Sequence, residues 1–218
     1  MKKTKTFLIF AFCLLAYFGN SQTSETSFTE IPVEIYGDKI ILTPEEDIII
    51  LGSSSVLKID NEGNTIWHTQ INTSQAFQMT DIVIADEGEI YVTANIDLQD
   101  GDFGSSRYPG IMKLSQDGDS LWFKSPFVSD IDTCEFFTQA ELNGINLMNN
   151  GNIIQTGNIT DSIGNKNLLL LISDTNGETL HIYTGPFQDL YYLFGEGTFQ
   201  AENGNIYIAG YSRTLLPS

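Results

Sequence analysis

The chain has 218 residues, 28 of them acidic and only 10 basic, for a net charge of −18. Such a surface repels phosphate backbones and anionic lipid headgroups, which argues against nucleic acid and membrane surfaces as partners. The composition is rich in Gly, Asn, Asp, Ile and Tyr rather than in strong helix formers, which favours strands joined by tight turns.

In chain order, Lys2, Lys3 and Lys5 precede an apolar run from Phe7 to Phe18, and small and polar residues follow. This is the layout of a signal peptide, expected over residues 1–21 with Gly19 and Ser21 before the cleavage point. The run is shorter than the roughly 20 apolar residues of a membrane span. An exported chain without membrane insertion after cleavage is therefore expected, secreted or held at the outer surface of a bacterium. It would keep seven basic against 28 acidic side chains, a net charge of −21. Cys13 follows Phe12 inside the apolar run, a poor context for lipidation. Cys134 is then the single mature cysteine, so no internal disulfide is available, and a buried, inert thiol is expected.

Residues 22–36 form a lead-in strand segment, and from residue 37 the chain repeats itself. "VLKIDNEGNTIW" (Val56 to Trp67) and "IMKLSQDGDSLW" (Ile111 to Trp122) align on Gly63 and Gly118, and Gly177 with His181 supplies a third copy. A second series interleaves: "GEIYVTA" from Gly88, "GNIIQTG" from Gly151 and "GNIYIAG" from Gly204, with "EDIIILG" from Glu46 as a divergent first member. The period of roughly 50 to 60 residues is that of one supersecondary unit, in the range of propeller blades.

Each repeat glycine ends a three-residue turn, as in Asn61-Glu62-Gly63 or Asp86-Glu87-Gly88, where a hairpin needs positive φ after a type I turn. The first copy, Pro44-Glu45-Glu46, lacks the glycine but starts with the proline that a type I turn favours. The glycine-led strands Ile48–Gly52, Glu89–Ala94, Asn152–Gly157 and Asn205–Gly210 carry consecutive apolar residues, so both of their faces are expected to be covered. Four antiparallel strands per unit, covered on both faces, describe a blade stacked between blades. The expected fold is all-β, a propeller segment of about three and a half four-stranded blades over residues 37–218, the fourth incomplete. Trp67 and Trp122 would pack against the neighbouring blade with their N–H groups on backbone acceptors. His181 holds the same slot in the third copy and is read as structural.

The "LKIDNEGNTIW" pattern resembles the tryptophan-docking repeat of quinoprotein-like propellers. With "NGNIYIAG" before it, it also resembles the secreted propeller repeats of Bacteroidetes proteins that carry a type IX secretion signal. The third copy departs from the pattern, with Leu171 or Ile172 where Lys58 and Lys113 stand. The resemblance implies seven or eight blades, and hence a segment whose partners include the remaining blades; a four-blade ring closed by Phe28–Tyr36 is the competing arrangement. Quinoprotein dehydrogenases of this kind hold their quinone with a calcium ion and, commonly, adjacent cysteines, and the chain has no such cysteine cluster.

Carboxylates around Gly101, namely Asp97, Asp100 and Asp102, are a candidate calcium site because hard cations take oxygen ligands. Their spacing does not match an EF-hand, and a solvated loop is the plainer reading, with Arg107 and Tyr108 nearby open to pairing with it or to meeting a ligand. No cofactor is otherwise expected and no catalytic residue is assigned. Phe136 and Phe137, and Tyr191, Tyr192 and Phe194, fall in equivalent connections between blades and form the candidate ligand-binding surface. Exposed rings there suit a glycan or protein ligand, although large aromatics also fill cores. The expected role is a non-enzymatic binding or scaffold module for protein or glycan; the alternative is part of a propeller enzyme, of quinoprotein or glycan-processing type, with its catalytic residues elsewhere.

Overall fold

The computed structural model describes residues 37–71, 76–99, 105–126, 137–161, 164–185 and 192–213. These residues form fourteen strands and no helix, so no helix among them is long and apolar enough to cross a membrane. The lead-in segment at residues 22–36 lies outside the described residues.

The strands follow one another as antiparallel meanders. Blade 1 comprises β1 (Gly37–Leu42), β2 (Ile48–Gly52), β3 (Ser55–Ile59) and β4 (Thr65–Gln70). Blade 2 comprises β5 (Ala76–Ile84), β6 (Ile90–Gln99), β7 (Ser105–Leu114) and β8 (Ser120–Lys124). Blade 3 comprises β9 (Phe137–Leu147), β10 (Ile153–Asp161), β11 (Lys166–Ser173) and β12 (Thr179–Gly185), and β13 (Tyr192–Gln200) with β14 (Ile206–Arg213) makes half of blade 4. Blades 1 and 2 are separate four-stranded sheets, whereas a single parallel bridge, Lys166 to Tyr192, joins blade 3 to β13–β14 in a six-stranded sheet. The fold is an all-β propeller segment of three and a half blades.

Turn chemistry sets the hairpins. At each repeat turn the third residue donates its amide to the carbonyl three residues back, as Gly63 does to Asp60 at 3.1 Å and Gly118 to Ser115 at 3.0 Å. The repeat glycines adopt φ of 79 to 88°, and Glu46 takes the same left-handed conformation at φ 68° without being glycine. Asp60 and Asp174 cap their turns by accepting amides from the residues two and four further on. The carboxyl pKa of Asp60 is lowered first by the Asn64 side-chain amide, whose Nδ2 donates to Oδ2 at 2.9 Å, and that of Asp174 first by the Glu178 backbone amide. An eighth turn of this form closes at Gly164, where the amide reaches the Asp161 carbonyl at 3.0 Å. In a meander the first-to-second and third-to-fourth turns share one rim, the lower rim. The second-to-third turns and the blade connections share the other, the upper rim.

The core lies between blades. Ile49, Leu51 and Val56 of blade 1 meet Met79, Ile90, Val92 and Leu114 of blade 2. Tyr91 and Ile111 of blade 2 meet Ile145 and Ile153 of blade 3, and Ile154, Leu170 and Ile172 of blade 3 receive Ile206 of the half-blade. Each such fully buried aliphatic side chain contributes about 1.5–3 kcal/mol. Trp67 lies on the blade 2 turn, and a Cβ at Gly118 would fall 2.6 Å from its ring. Its indole Nε1 donates to the Gln116 carbonyl at 3.0 Å. Trp122 lies in the same way on Gly177 of blade 3, with the same 2.6 Å clearance. Glycine at 118 and 177 thus serves both the turn and the docking of the ring. His181 pairs with Ile172 as Trp122 pairs with Lys113, and among the described residues its slot is open.

The structure departs from the sequence reading at the half-blade. β14 was expected to be covered on both faces, yet Tyr207, Ile208 and Tyr211 are 49, 37 and 52% exposed. The reason is that no described strand pairs with the outer edge of β14 and no described sheet lies on its outer face. The inner strands are also longer than the turn spacing suggested, so Phe137, Tyr192 and Phe194 belong to β9 and β13 rather than to connections.

Candidate functional site

Each inner strand carries a one-residue bulge at the same level of its blade. In β1 the register skips Asp38, in β5 Thr80, in β9 Asn143 and in β13 Glu196. Bulges of this kind re-aim a side chain and interrupt the ladder. These four residues, with Gln78 and Met79, line one cleft of about 210 Å³ where the inner strands meet.

Hydrogen bonds between blades hold the wall of this cleft. Thr80 Oγ1 donates to the Leu142 carbonyl at 2.8 Å, and Asn143 Nδ2 donates to the equivalent Gly195 carbonyl at 3.1 Å. Asn95 bridges to the Leu142 backbone twice, donating to its carbonyl at 3.1 Å and accepting its amide at 2.9 Å. The buried Asp81 carboxylate pairs with Lys39 of blade 1 and accepts the Ile145 amide of blade 3 at 3.0 Å, so one residue links three blades. These contacts use backbone groups that a bulge would otherwise leave unsatisfied. Asp38 and Glu196 stay exposed at the mouth, two carboxylates beside the amides of Gln78 and Asn143.

The upper rim lies two residues further along the same inner strands, at Gln78, Glu141 and Phe194. Arg107 holds Asp97 with both ends of its fork, Nε at 2.7 Å and Nη2 at 3.2 Å, and reaches Glu141 at 3.3 Å through Nη1. Its pKa is raised, first by the hydrogen bonds to Asp97, against the opposing effect of partial burial. Bidentate pairing of this kind fixes orientation as well as charge. Asn158 Nδ2 completes the network on the other Glu141 oxygen at 3.4 Å. One blade further on, Phe194 stacks on Tyr211 with ring centres 4.5 Å apart and planes 13° off parallel, and the Lys166 ammonium sits 5.2 Å from the Phe194 ring centre. Tyr211 is 52% exposed, so one face of the stack is open to a ligand.

Among the residues singled out from sequence, Asp97 is engaged by Arg107 within paired strands β6 and β7 rather than standing in a loop. Asp100 and Asp102 lie outside the described residues. No group of three His, Cys, Asp or Glu among the described residues could hold a metal ion. Phe136 and Tyr191 also lie outside them. Phe137, Tyr192 and Phe194 are brought to the upper ends of β9 and β13. His68 and His181 stand on β4 and β12 in different blades. The bulge residues Asp38, Thr80, Asn143 and Glu196 went unnoticed in the sequence. Their signal is a one-residue slip between paired strands, which requires both strands to be aligned.

No family model matches the chain, and no curated protein does. Among solved structures, a protein of unknown function from Bacteroides caccae is similar at 13% identity and a TM-score of 0.37, over 79% of this chain and 69% of its own. The Pan2 WD40 domain of Neurospora crassa is similar at 8% identity and a TM-score of 0.31, over 79% of this chain and 71% of its own. A streptogramin B lyase gives 10% and 0.31, over 84% and 79%. Likenesses at this level carry no argument about function. The blade architecture stands on the sheet topology and the stacking of the blades.

Proposed function

We propose that the chain is an exported, non-enzymatic β-propeller binding module that takes a protein or glycan ligand at the upper mouth of its axis. The observation that carries this reading is the convergence of four bulges on one cleft, two residues along the inner strands from an exposed aromatic stack. A cleft of about 210 Å³ suits one terminal sugar or one inserted side chain rather than a drug-sized ligand. Asp38 and Glu196 would accept hydroxyl or ammonium donors, Asn143 and Gln78 would donate and accept, and Tyr211 would offer a flat apolar face. Polar recognition at the centre with an aromatic platform beside it is the chemistry of a binding site.

A glycan array and a display library of peptides, each probed with the purified chain, test the reading and separate the two ligand classes. Binding to members of one class is expected, with loss of about tenfold or more on Glu196→Gln or Tyr211→Ala. Binding that survives both substitutions would move the site elsewhere, and turnover of a bound member, seen by mass spectrometry, would overturn the non-enzymatic assignment.

A further inference from the structure

The lower rim carries a second feature, on the opposite side from the mouth of the axis. Between blades 1 and 2 lies a cavity of about 160 Å³, walled by Thr43, Ile49, Lys58, Ile84, Ile90 and Gln116, all of them from complete blades. Lys58 is 6% exposed, and its ammonium pairs with Asp47 at 3.0 Å. A buried ammonium carries three donors, so a single carboxylate leaves part of its capacity unused.

The repeat shows what such a space holds. One blade on, the equivalent walls are Ala85, Tyr91, Lys113, Leu147, Ile153 and Thr175, and there the fully buried Tyr91 ring packs with Ala85, Leu147 and Ile153. The Lys113 ammonium lies 5.2 Å from the Tyr91 ring centre and pairs with Glu89 at 2.7 Å. The phenol hydroxyl reaches the Thr175 carbonyl at 3.3 Å and the Glu89 carboxylate at 3.2 Å, either of which can accept it. Strand register makes the two sites equivalent, because Lys58 stands opposite Ile49 as Lys113 stands opposite Tyr91. Ile49 therefore holds the place of Tyr91 without its ring or hydroxyl, while the lysine and the turn carbonyl are kept. In blade 3 the whole set changes together: Ile172 stands opposite Ile154, Asn152 takes the place of the acid, and Met148 and Ile206 pack against the two isoleucines. A lysine without its carboxylate would be an unpaired buried charge, so the two positions change as a unit. Blade 1 keeps the charged pair and drops the ring.

We infer that the cavity between blades 1 and 2 is a binding site for a small phenol, whose ring takes the place that Tyr91 takes one blade on. The ring lies against Ile49, Ile84 and Ile90 with the Lys58 ammonium at its face. Its hydroxyl donates to the Gln116 carbonyl, which has a second lone pair beside the one that accepts the Trp67 indole. A cavity of about 150 Å³ accepts benzene, so this one takes a single ring. Glu45, Asp86 and Glu87 stand exposed at its mouth, and like charge there selects neutral or amine-bearing phenols against phenolic acids.

The test is titration calorimetry of the purified chain with p-cresol, toluene, 4-hydroxyphenylacetate and a capped Gly-Tyr-Gly peptide. p-Cresol is expected to bind at least about tenfold more tightly than toluene, which lacks the hydroxyl, and than 4-hydroxyphenylacetate, which meets the acidic mouth. The peptide decides the source of the ring: affinity equal to that of p-cresol assigns it to a polypeptide tyrosine, and weaker binding assigns it to a free phenol. Ile49→Tyr, which copies blade 2, should abolish p-cresol binding and raise the urea midpoint. Asp47→Asn combined with Lys58→Ile, which copies blade 3, should remove the preference for p-cresol over toluene, and it decides the matter if Ile49→Tyr does not fold. Equal affinity for p-cresol and either of the other two small molecules, p-cresol binding that survives Ile49→Tyr, a preference that survives the double change, or no heat from a chain whose circular dichroism shows folded sheet would each overturn the assignment.

Discussion

Strands β6 and β14 have nearly the same composition and opposite surroundings. Ile90-Tyr91-Val92-Thr93-Ala94 is buried throughout, whereas in Ile206-Tyr207-Ile208-Ala209-Gly210 only the first residue is half-buried and the rest are exposed. Tyr91 has no exposed surface, pairs with Lys113 across the strand and donates its hydroxyl to the Thr175 carbonyl of the next blade at 3.3 Å. Burial pushes its phenol pKa up. Tyr207 stacks on Phe199 at 5.0 Å, and both rings remain about half exposed. The two strands teach that apolar runs in this repeat specify what could be covered, while the next sheet decides what is covered.

The largest expected effect sharpens that contrast. Tyr91→Ala should cost about 3–5 kcal/mol in urea denaturation, because it empties a filled inter-blade site. Tyr207→Ala in the half-blade should stay within about 0.5 kcal/mol, as an exposed substitution does. Similar losses at both positions would mean that β14 is covered in solution. Next in size is the cross-strand charge pair: Lys58→Met alone should destabilise by about 3 kcal/mol, because it strands the Asp47 carboxylate. The combined Asp47→Asn and Lys58→Ile change, which reproduces blade 3, should recover most of the loss. A double variant no better than the single one would show that the two positions are not a unit. Smallest is Glu46→Gly, which relieves a left-handed residue at φ 68°. It should stabilise the chain by about 1 kcal/mol, read as a raised urea midpoint with an unchanged slope.

Much of the architecture was legible because hairpin geometry is local. A turn that demands positive φ selects glycine, and its recurrence at Gly63, Gly118 and Gly177, interleaved with Gly88, Gly151 and Gly204, counts the strands. The candidate site was legible only in part. Phe194 and Tyr192 were recognised as a group, but the extension of β13 that carries them is not marked by any turn residue. For Asp97 the sequence left a cation site, a solvated loop and pairing with Arg107 open, because Arg107 stands opposite it only when β6 and β7 are in register. The exchange of Lys113 and Glu89 for Ile172 and Asn152 is likewise invisible until strand pairing aligns the blades.

By itself, then, the amino-acid order determined the strand count, the turn type and the blade period, since each follows from backbone preferences within a few residues. Only tertiary structure decided the four aligned bulges, the cleft they surround, the partners of the buried charges and, among the described residues, the exposure of β14. Those depend on which strand lies beside which, and that is settled by packing between segments some 50 residues apart, beyond the reach of any local preference.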